Sequence, residues 1–270
     1  MNKIIAIQGE AGSFHHSAAI KWYGKDIAIA PCTTFKDVFI ALDEQIATSA
    51  IVAIENSIHG SINEVYDLLI SHKYYIVGEI AIPIEQCLIT LPGAKLTDIT
   101  HIHSHPVALS QCSNYLDEHL PTAERVEDYD TAASVSYIKQ QGNLNLAAIA
   151  SSTAAKMHKM PILARAIQNH DTNMTRFLVL DKKPADFETD KLSMVIQTSH
   201  TPGALYKALG VFDRSKANLT KLQSRPIPGK VWRYMFYVDV LIDSKKIPNV
   251  TAELKKQDCQ VRLLGAYNQA

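Results

Sequence analysis

The sequence predicts an α/β fold of mostly parallel strands, followed by a smaller unit of βαββαβ order. Three observations carry this. Short apolar runs alternate with helical stretches from the first residues onward, the rhythm of a sheet whose strands are joined by helices. A charged, proline-bearing connection, Asp181-Lys182-Lys183-Pro184-Ala185-Asp186, then interrupts the pattern. Beyond it, strands and helices follow the split ferredoxin-like order.

In order, Ile4–Gln8 reads as a strand, Phe14–Trp22 as a helix, Ile27–Ala30 as a strand and Thr34–Glu44 as a helix. Ala50–Glu55 is an apolar strand running into a polar turn, and Ile62–Ser71 a helix. The pattern resumes with strands Gln86–Leu91 and Ile99–Ser104, helices Pro106–His119 and Thr131–Gln140, strand Leu146–Ala150 and helix Ser151–His158. Phe177–Leu180 is a strand. After the linker come strand Leu192–Ser199, helix Pro202–Arg214 with proline at its start, strands Ala217–Gln223 and Val231–Leu241, helix Ile247–Lys256 and strand Cys259–Ala266.

Lysine plus arginine equals aspartate plus glutamate, at 27 each. A chain without net charge has no general attraction to nucleic acid or anionic membranes, so a small anion is the expected partner of any basic site. The apolar start Ile4–Ile7 is too short for a signal peptide, and no run approaches bilayer length. Cys32, Cys87, Cys112 and Cys259 are scattered, which suits free thiols in a reducing compartment. The expectation is a cytoplasmic protein acting on a small molecule.

Polar clusters stand where strands give way to helices, the place where open α/β sheets bind ligands. Gly9-Glu10-Ala11-Gly12-Ser13-Phe14 follows the first strand; it lacks the phosphate-loop ending and the third dinucleotide glycine, and a simple tight turn accounts for it equally well. Glu55-Asn56-Ser57-Ile58-His59-Gly60-Ser61 gathers a carboxylate, amide and hydroxyls able to meet a polar ligand, or merely to cap a helix. Asp130-Thr131-Ala132-Ala133 carries the same two readings. In Asn173-Met174-Thr175-Arg176-Phe177, just before a strand, an arginine suited to a carboxylate stands beside a hydroxyl; a surface arginine is the plainer account. His101, His103 and His105 alternate along a strand, but no carboxylate is spaced to complete a metal site. No serine-hydrolase elbow is present.

Together and in this order, these segments resemble the prephenate dehydratase family along almost the whole chain. The resemblance rests on Gly9–Phe14, Ile54–Gly60, His105–Cys112, Asp130–Ala132, Ala148–Ser151 and, most specifically, Asn173–Phe177. It implies a catalytic region over residues 1–181, two-lobed like type 2 periplasmic binding proteins, with its site in the cleft. The first lobe would take about residues 1–75 and 161–181, the second about 76–160. Residues 190–270 resemble an ACT domain. There Gly203, Ala204 and Leu205 match one effector motif, and Asn218, Leu219, Gln223, Ser224, Arg225 and Pro226 a second. The resemblance implies L-phenylalanine as allosteric effector, bound between paired domains of a homodimer or homotetramer.

The implied reaction is decarboxylation and dehydration of prephenate to phenylpyruvate in L-phenylalanine biosynthesis, without metal or cofactor. By resemblance, Thr175 hydrogen-bonds the leaving oxygen and Arg176 holds the side-chain carboxylate. Asn56, Ser57, Thr131 and Ser151 are supporting donors, Phe14 walls the ring, and Glu55 and His105 tune protons. The chain departs from the family pattern at Glu10, where proline is common, at Ser13 (threonine), His15 (serine) and Val107 (glutamine), and at Gln223, which replaces an acidic residue. Arogenate dehydratase, a non-catalytic amino-acid sensor and a metal-dependent hydrolase using the three histidines are the alternatives.

Overall fold

A computed structural model describes residues 3–270. The chain divides into two compact units. One comprises Met1–Leu68 and Ile80–Phe177, the other Leu69–Glu79 and Leu178–Ala270.

The N-terminal rhythm folds as the sequence predicts. Strand β1 (Ile4–Gln8), helix α1 (Phe14–Tyr23), β2 (Ala28–Cys32), α2 (Phe35–Asp43) and β3 (Ser49–Asn56) follow in order. β1 lies between β2 and β3 and is parallel to both. Two further elements escape the sequence reading: the two-residue β4 (Gly60–Ser61), which turns back antiparallel on β3, and, after α3 (Asn63–Ser71), the long strand β5 (Tyr75–Pro83). Completed by β11 (Met174–Asp181), the sheet has the order β2-β1-β3-β11-β5. Ile5, Ile7, Ile51 and Phe177 are fully or almost fully buried in it.

A second sheet holds β6 (Cys87–Thr90), β7 (His101–Ser104), β8 (Glu124–Glu127), β9 (Leu146–Ala150) and β10 (Ile162–Ala164) in the order β10-β6-β9-β7-β8. It is mixed rather than mostly parallel: β7 runs parallel to β8 and β9, while β6 opposes β9 and β10. The expected helix Pro106–His119 is two helices, α4 (Pro106–Gln111) and α5 (Ser113–His119), because Cys112 leaves helical geometry at φ −109° and ψ 10°. Helices α6 (Thr131–Gln141) and α7 (Ser152–His158) pack on one face over Ile89, Ala148, Val135 and Ala154. Ile102, Leu109, Leu116 and Ile149 fill the other. The passage between sheets lies between β5 and β6, and the return follows β10. The second sheet therefore spans residues 87–164 rather than 76–160.

The C-terminal unit has the expected βαββαβ order: β12 (Lys191–Gln197), α8 (Ala204–Arg214), β13 (Asn218–Pro226), β14 (Tyr234–Leu241), α9 (Ile247–Lys256) and β15 (Gln260–Tyr267). Its antiparallel sheet runs β13-β14-β12-β15. Leu192, Met194, Val238 and Val240 alternate toward Phe212, Val250 and Leu254 of the two helices, as a sheet with one helix-covered face requires. The opposite face buries polar groups instead. Lys191 places Nζ 2.8 Å from both oxygens of Glu79, with the two side chains 4% and 2% exposed. Ser193 Oγ donates to Asp239 at 2.6 Å and lies 2.7 Å from the Tyr267 hydroxyl. Among the described residues no helix is long and apolar enough to cross a membrane.

Candidate active site

Four helix caps converge on one cavity of about 580 Å³ in the first unit. Ser13 caps α1 by accepting from the His16 amide, Thr34 caps α2, His105 caps α4 through Nδ1, and Asp130 caps α6 by accepting from Ala132 and Ala133. All four capping residues line the cavity. Sequence dictates the arrangement locally, since Ser, Thr and Asp before a helical run satisfy its unpaired amides. Each helix also turns the positive end of its dipole toward the space. Among the described residues, no lysine or arginine lines the walls.

Two glycines let the loops approach. Gly9 and Gly12 have φ of +85° and +99°. A Cβ on Gly9 would collide with the Asp130 carboxylate, and one on Gly12 would stand 2.8 Å from the Ala154 Cα. The Gly9–Phe14 segment is thus a tight turn that also brings α1 to the cavity.

Thr175 and Phe177 line the cavity, and Arg176 does not. The sequence places this triplet before a strand; in the structure β11 begins at Met174. Alternation along the strand sends Thr175 and Phe177 to one face and Arg176 to the other, where its guanidinium lies 3.3 Å from Glu55. Asn56 Nδ2 donates to Thr175 Oγ1 at 3.0 Å and to Asn173 Oδ1 at 2.7 Å. Ser57 fastens the same junction: its amide donates to the Met174 carbonyl, and its hydroxyl accepts from the Met174 amide.

Of the residues singled out from sequence, Phe14, Asn56, Thr131 and Thr175 line the cavity together with His105. Glu55, Ser57, Ser151 and Arg176 lie outside its wall. Ser151 caps α7 and donates to the Gly12 carbonyl at 2.7 Å. Sequence reasoning passed over Gln86, Gln111 and Tyr129 as wall residues; Gln111 lies inside the quoted His105–Cys112 segment. Tyr129 donates to Glu10 at 2.5 Å. Burial, then that bond, hold its phenol above the usual range. Burial also raises the Asp130 carboxyl and lowers the His105 imidazole.

The three alternating histidines serve separate purposes. His101 faces Glu124 and His103 faces Asp128, each at 3.4 Å, while His105 caps α4. Among the described residues no group of three or more His, Cys, Asp or Glu gathers to hold a metal. The four thiols are free, and burial pushes Cys87 to about 11 and Cys112 to about 12.

A family model described as prephenate dehydratase matches residues 5–185. The chain belongs to the prephenate dehydratase family. Within that family it is 37% identical to arogenate dehydratase 2 of Petunia hybrida over 282 residues, covering 97% of this chain and 71% of that one. A solved prephenate dehydratase from Arthrobacter aurescens, in complex with L-Phe, superposes with a TM-score of 0.88 at 28% identity, over 98% of this chain and 90% of that one. GqqA, described as a novel type of quorum quenching acylase, superposes with a TM-score of 0.87 at 30% identity, over 99% and 98%. Prephenate dehydratases are lyases, and the chain is an enzyme of that class.

In the C-terminal unit, Gly203 caps α8 with φ +79°, so Ala204 and Leu205 form its first turn. Asn218, Leu219, Gln223, Ser224, Arg225 and Pro226 lie on β13, an outer strand of the sheet.

Proposed function

We propose that this enzyme converts prephenate to phenylpyruvate. The observation that carries the reading is the hydrogen bond from Asn56 to Thr175 at the cavity wall. Because the amide donates to the Thr175 oxygen, the hydroxyl proton is available to a second acceptor. The ring hydroxyl of prephenate is such an acceptor. Decarboxylation releases the electron pair of the breaking C–C bond into the ring; the C–O bond breaks, and the departing hydroxide takes a proton and leaves as water. Atoms and charge balance without a redox step. A positioned donor to a poor leaving group is worth about 10²–10⁴-fold in rate.

Prephenate carries two carboxylates, and the cavity offers helix N-termini and neutral donors rather than cations. Arg176 stands on the opposite face of β11, 3.3 Å from Glu55 and outside the wall, so the side-chain carboxylate falls to the helix N-termini and neutral donors, and Arg176 acts by tying β11 to β3. Clamping the carboxylate that departs would stabilise the ground state and slow the reaction. Asn56, Thr131 and Phe14 serve substrate at the wall. Ser57 and Ser151 act by holding β11 and the Gly12 turn in place.

The catalytic domain would comprise residues 1–181, and residues 190–270 an ACT domain that binds L-phenylalanine at Gly203–Leu205 and Asn218–Pro226. The unit's βαββαβ order and the L-Phe complex of the Arthrobacter aurescens relative support this. Effector control requires different affinity in two global states. The exposed outer edge of β13 suits pairing of two copies, giving a homodimer or homotetramer acting in the cytoplasm.

The test is phenylpyruvate formation from prephenate by purified, chelator-treated protein, with and without phenylalanine. Turnover that phenylalanine depresses supports both domains' assignments. Turnover of arogenate alone would replace the substrate, and inertness toward both would favour an amino-acid sensor. GqqA carries a different named activity on a similar fold, so the substrate assay, rather than the fold, decides.

A further inference from the structure

We propose that His15 binds the substrate directly, its Nδ1–H donating to an acceptor oxygen of the bound dianion; this rests on reading the cavity as the prephenate site. His15 lies in the first turn of α1 and lines the cavity. Its Nε2 accepts the amide proton of Ala53 at 3.1 Å. A ring nitrogen that accepts carries no proton, so the neutral ring holds its proton on Nδ1.

The ring is fixed in place. Phe177 meets it edge-on at 4.9 Å between centroids, and Phe35 tilts against it at 5.6 Å. The residue is 8% exposed, yet Nδ1 has no hydrogen-bond partner among the described residues. Nδ1 is not among the buried polar atoms that lack a partner, so it opens to the cavity, where a ligand oxygen can accept its hydrogen bond in place of water.

The charged form is disfavoured twice. Protonating Nε2 would break the Ala53 bond, and burial drives the pKa to about 3. His15 therefore contributes a donor and no charge across the neutral range. In a wall without lysine or arginine among the described residues, such a donor beside the N-terminus of α1 is well suited to oxygen anions. It is ill suited to an ammonium group, which is itself a donor.

Two measurements test this. In steady-state kinetics, His15→Phe keeps a flat ring between Phe35 and Phe177 and loses both nitrogens. His15→Gln keeps an acceptor for Ala53 and an N–H donor. We expect His15→Phe to raise KM for prephenate about tenfold with kcat within about threefold, and His15→Gln to restore most of the loss. In native protein labelled with ¹⁵N-histidine, NMR should show Nδ1 protonated and Nε2 bare, with the Nδ1 proton moving downfield when phenylpyruvate is added.

Normal prephenate turnover in wild type, together with an unchanged KM in His15→Phe or an unmoved Nδ1 proton, overturns the His15 assignment alone. Failure of wild type to turn over prephenate overturns the substrate reading instead. Should His15→Phe fail to fold, the NMR titration decides the matter.

Discussion

Asn56 Nδ2 stands 3.0 Å from Thr175 Oγ1, while Oδ1 of the same amide receives the backbone N–H groups of Ile58 and His59 at 3.0 and 2.9 Å. The turn after β3 thus sets which end of the amide faces Thr175. A flipped amide would confront two backbone donors with a third.

Thr175→Val preserves shape and removes the hydroxyl. Turnover should fall by about 10²-fold or more while KM stays within about threefold. Asn56→Ala should show a smaller loss in the same direction, since it frees the hydroxyl to rotate. A Thr175→Val enzyme with raised KM and intact kcat would remove Thr175 from the leaving oxygen.

Arg176 and Glu55 join β11 to β3 on the face of β11 away from Thr175. Arg176→Ala and Glu55→Gln should each change KM for prephenate by less than about threefold while lowering the urea midpoint. A KM raised about tenfold in Arg176→Ala alone would place the guanidinium on the substrate carboxylate instead.

Acid should destabilise the fold through its buried histidines. Burial lowers His15 to about 3 and also lowers His16, His105 and His158. A histidine in the unfolded chain protonates near 6.5, whereas His15 in the folded chain does not until about pH 3. The unfolded state therefore binds more protons between these values, and stability falls as pH drops through that window. Each such group contributes up to about 1.4 kcal/mol per pH unit. Urea midpoints at pH 7 and pH 5 should differ less for His15→Phe than for wild type; equal differences would mean that His15 protonates in place.

The buried ion pair of the C-terminal unit offers a test of stability apart from activity. Lys191→Ala removes the cation from Glu79, whose side chain is 2% exposed and retains the Ala270 amide at 3.2 Å, and should cost about 3–5 kcal/mol. Pairing Lys191→Met with Glu79→Leu should recover most of that loss in urea unfolding, because no buried carboxylate then remains without a countercharge. A double variant as weak as the single one would show that the pair holds a specific geometry.

Much of this architecture is local and was legible. Ile4–Gln8 needs only its apolar run and Gly9, and the pattern of Ile247–Lys256 coincides with α9. Ser13, Thr34 and Asp130 cap helices because their side chains reach amides two or three residues away. Other features were hidden. β5 carries no turn or periodicity signal of its own, and β11 begins at Met174, three residues before the apolar run that marks it at Phe177. Those three residues hold the alternation that parts Arg176 from Thr175.

Sequence by itself determined the α/β class, the C-terminal βαββαβ order, the family, and the polar segments that close each strand. These follow from periodicity, turn chemistry and short-range capping, which neighbouring residues settle among themselves. Tertiary structure alone decided which residues share the cavity and in what state. Asn56 meets Thr175 across 119 positions, and His15 meets the Ala53 amide across 38. Pairing β11 into the first sheet creates the former contact, and packing α1 beside β3 the latter. The burial that keeps His15 neutral arises the same way, from Phe35 and Phe177 closing over a ring that the sequence shows only as one histidine among eleven.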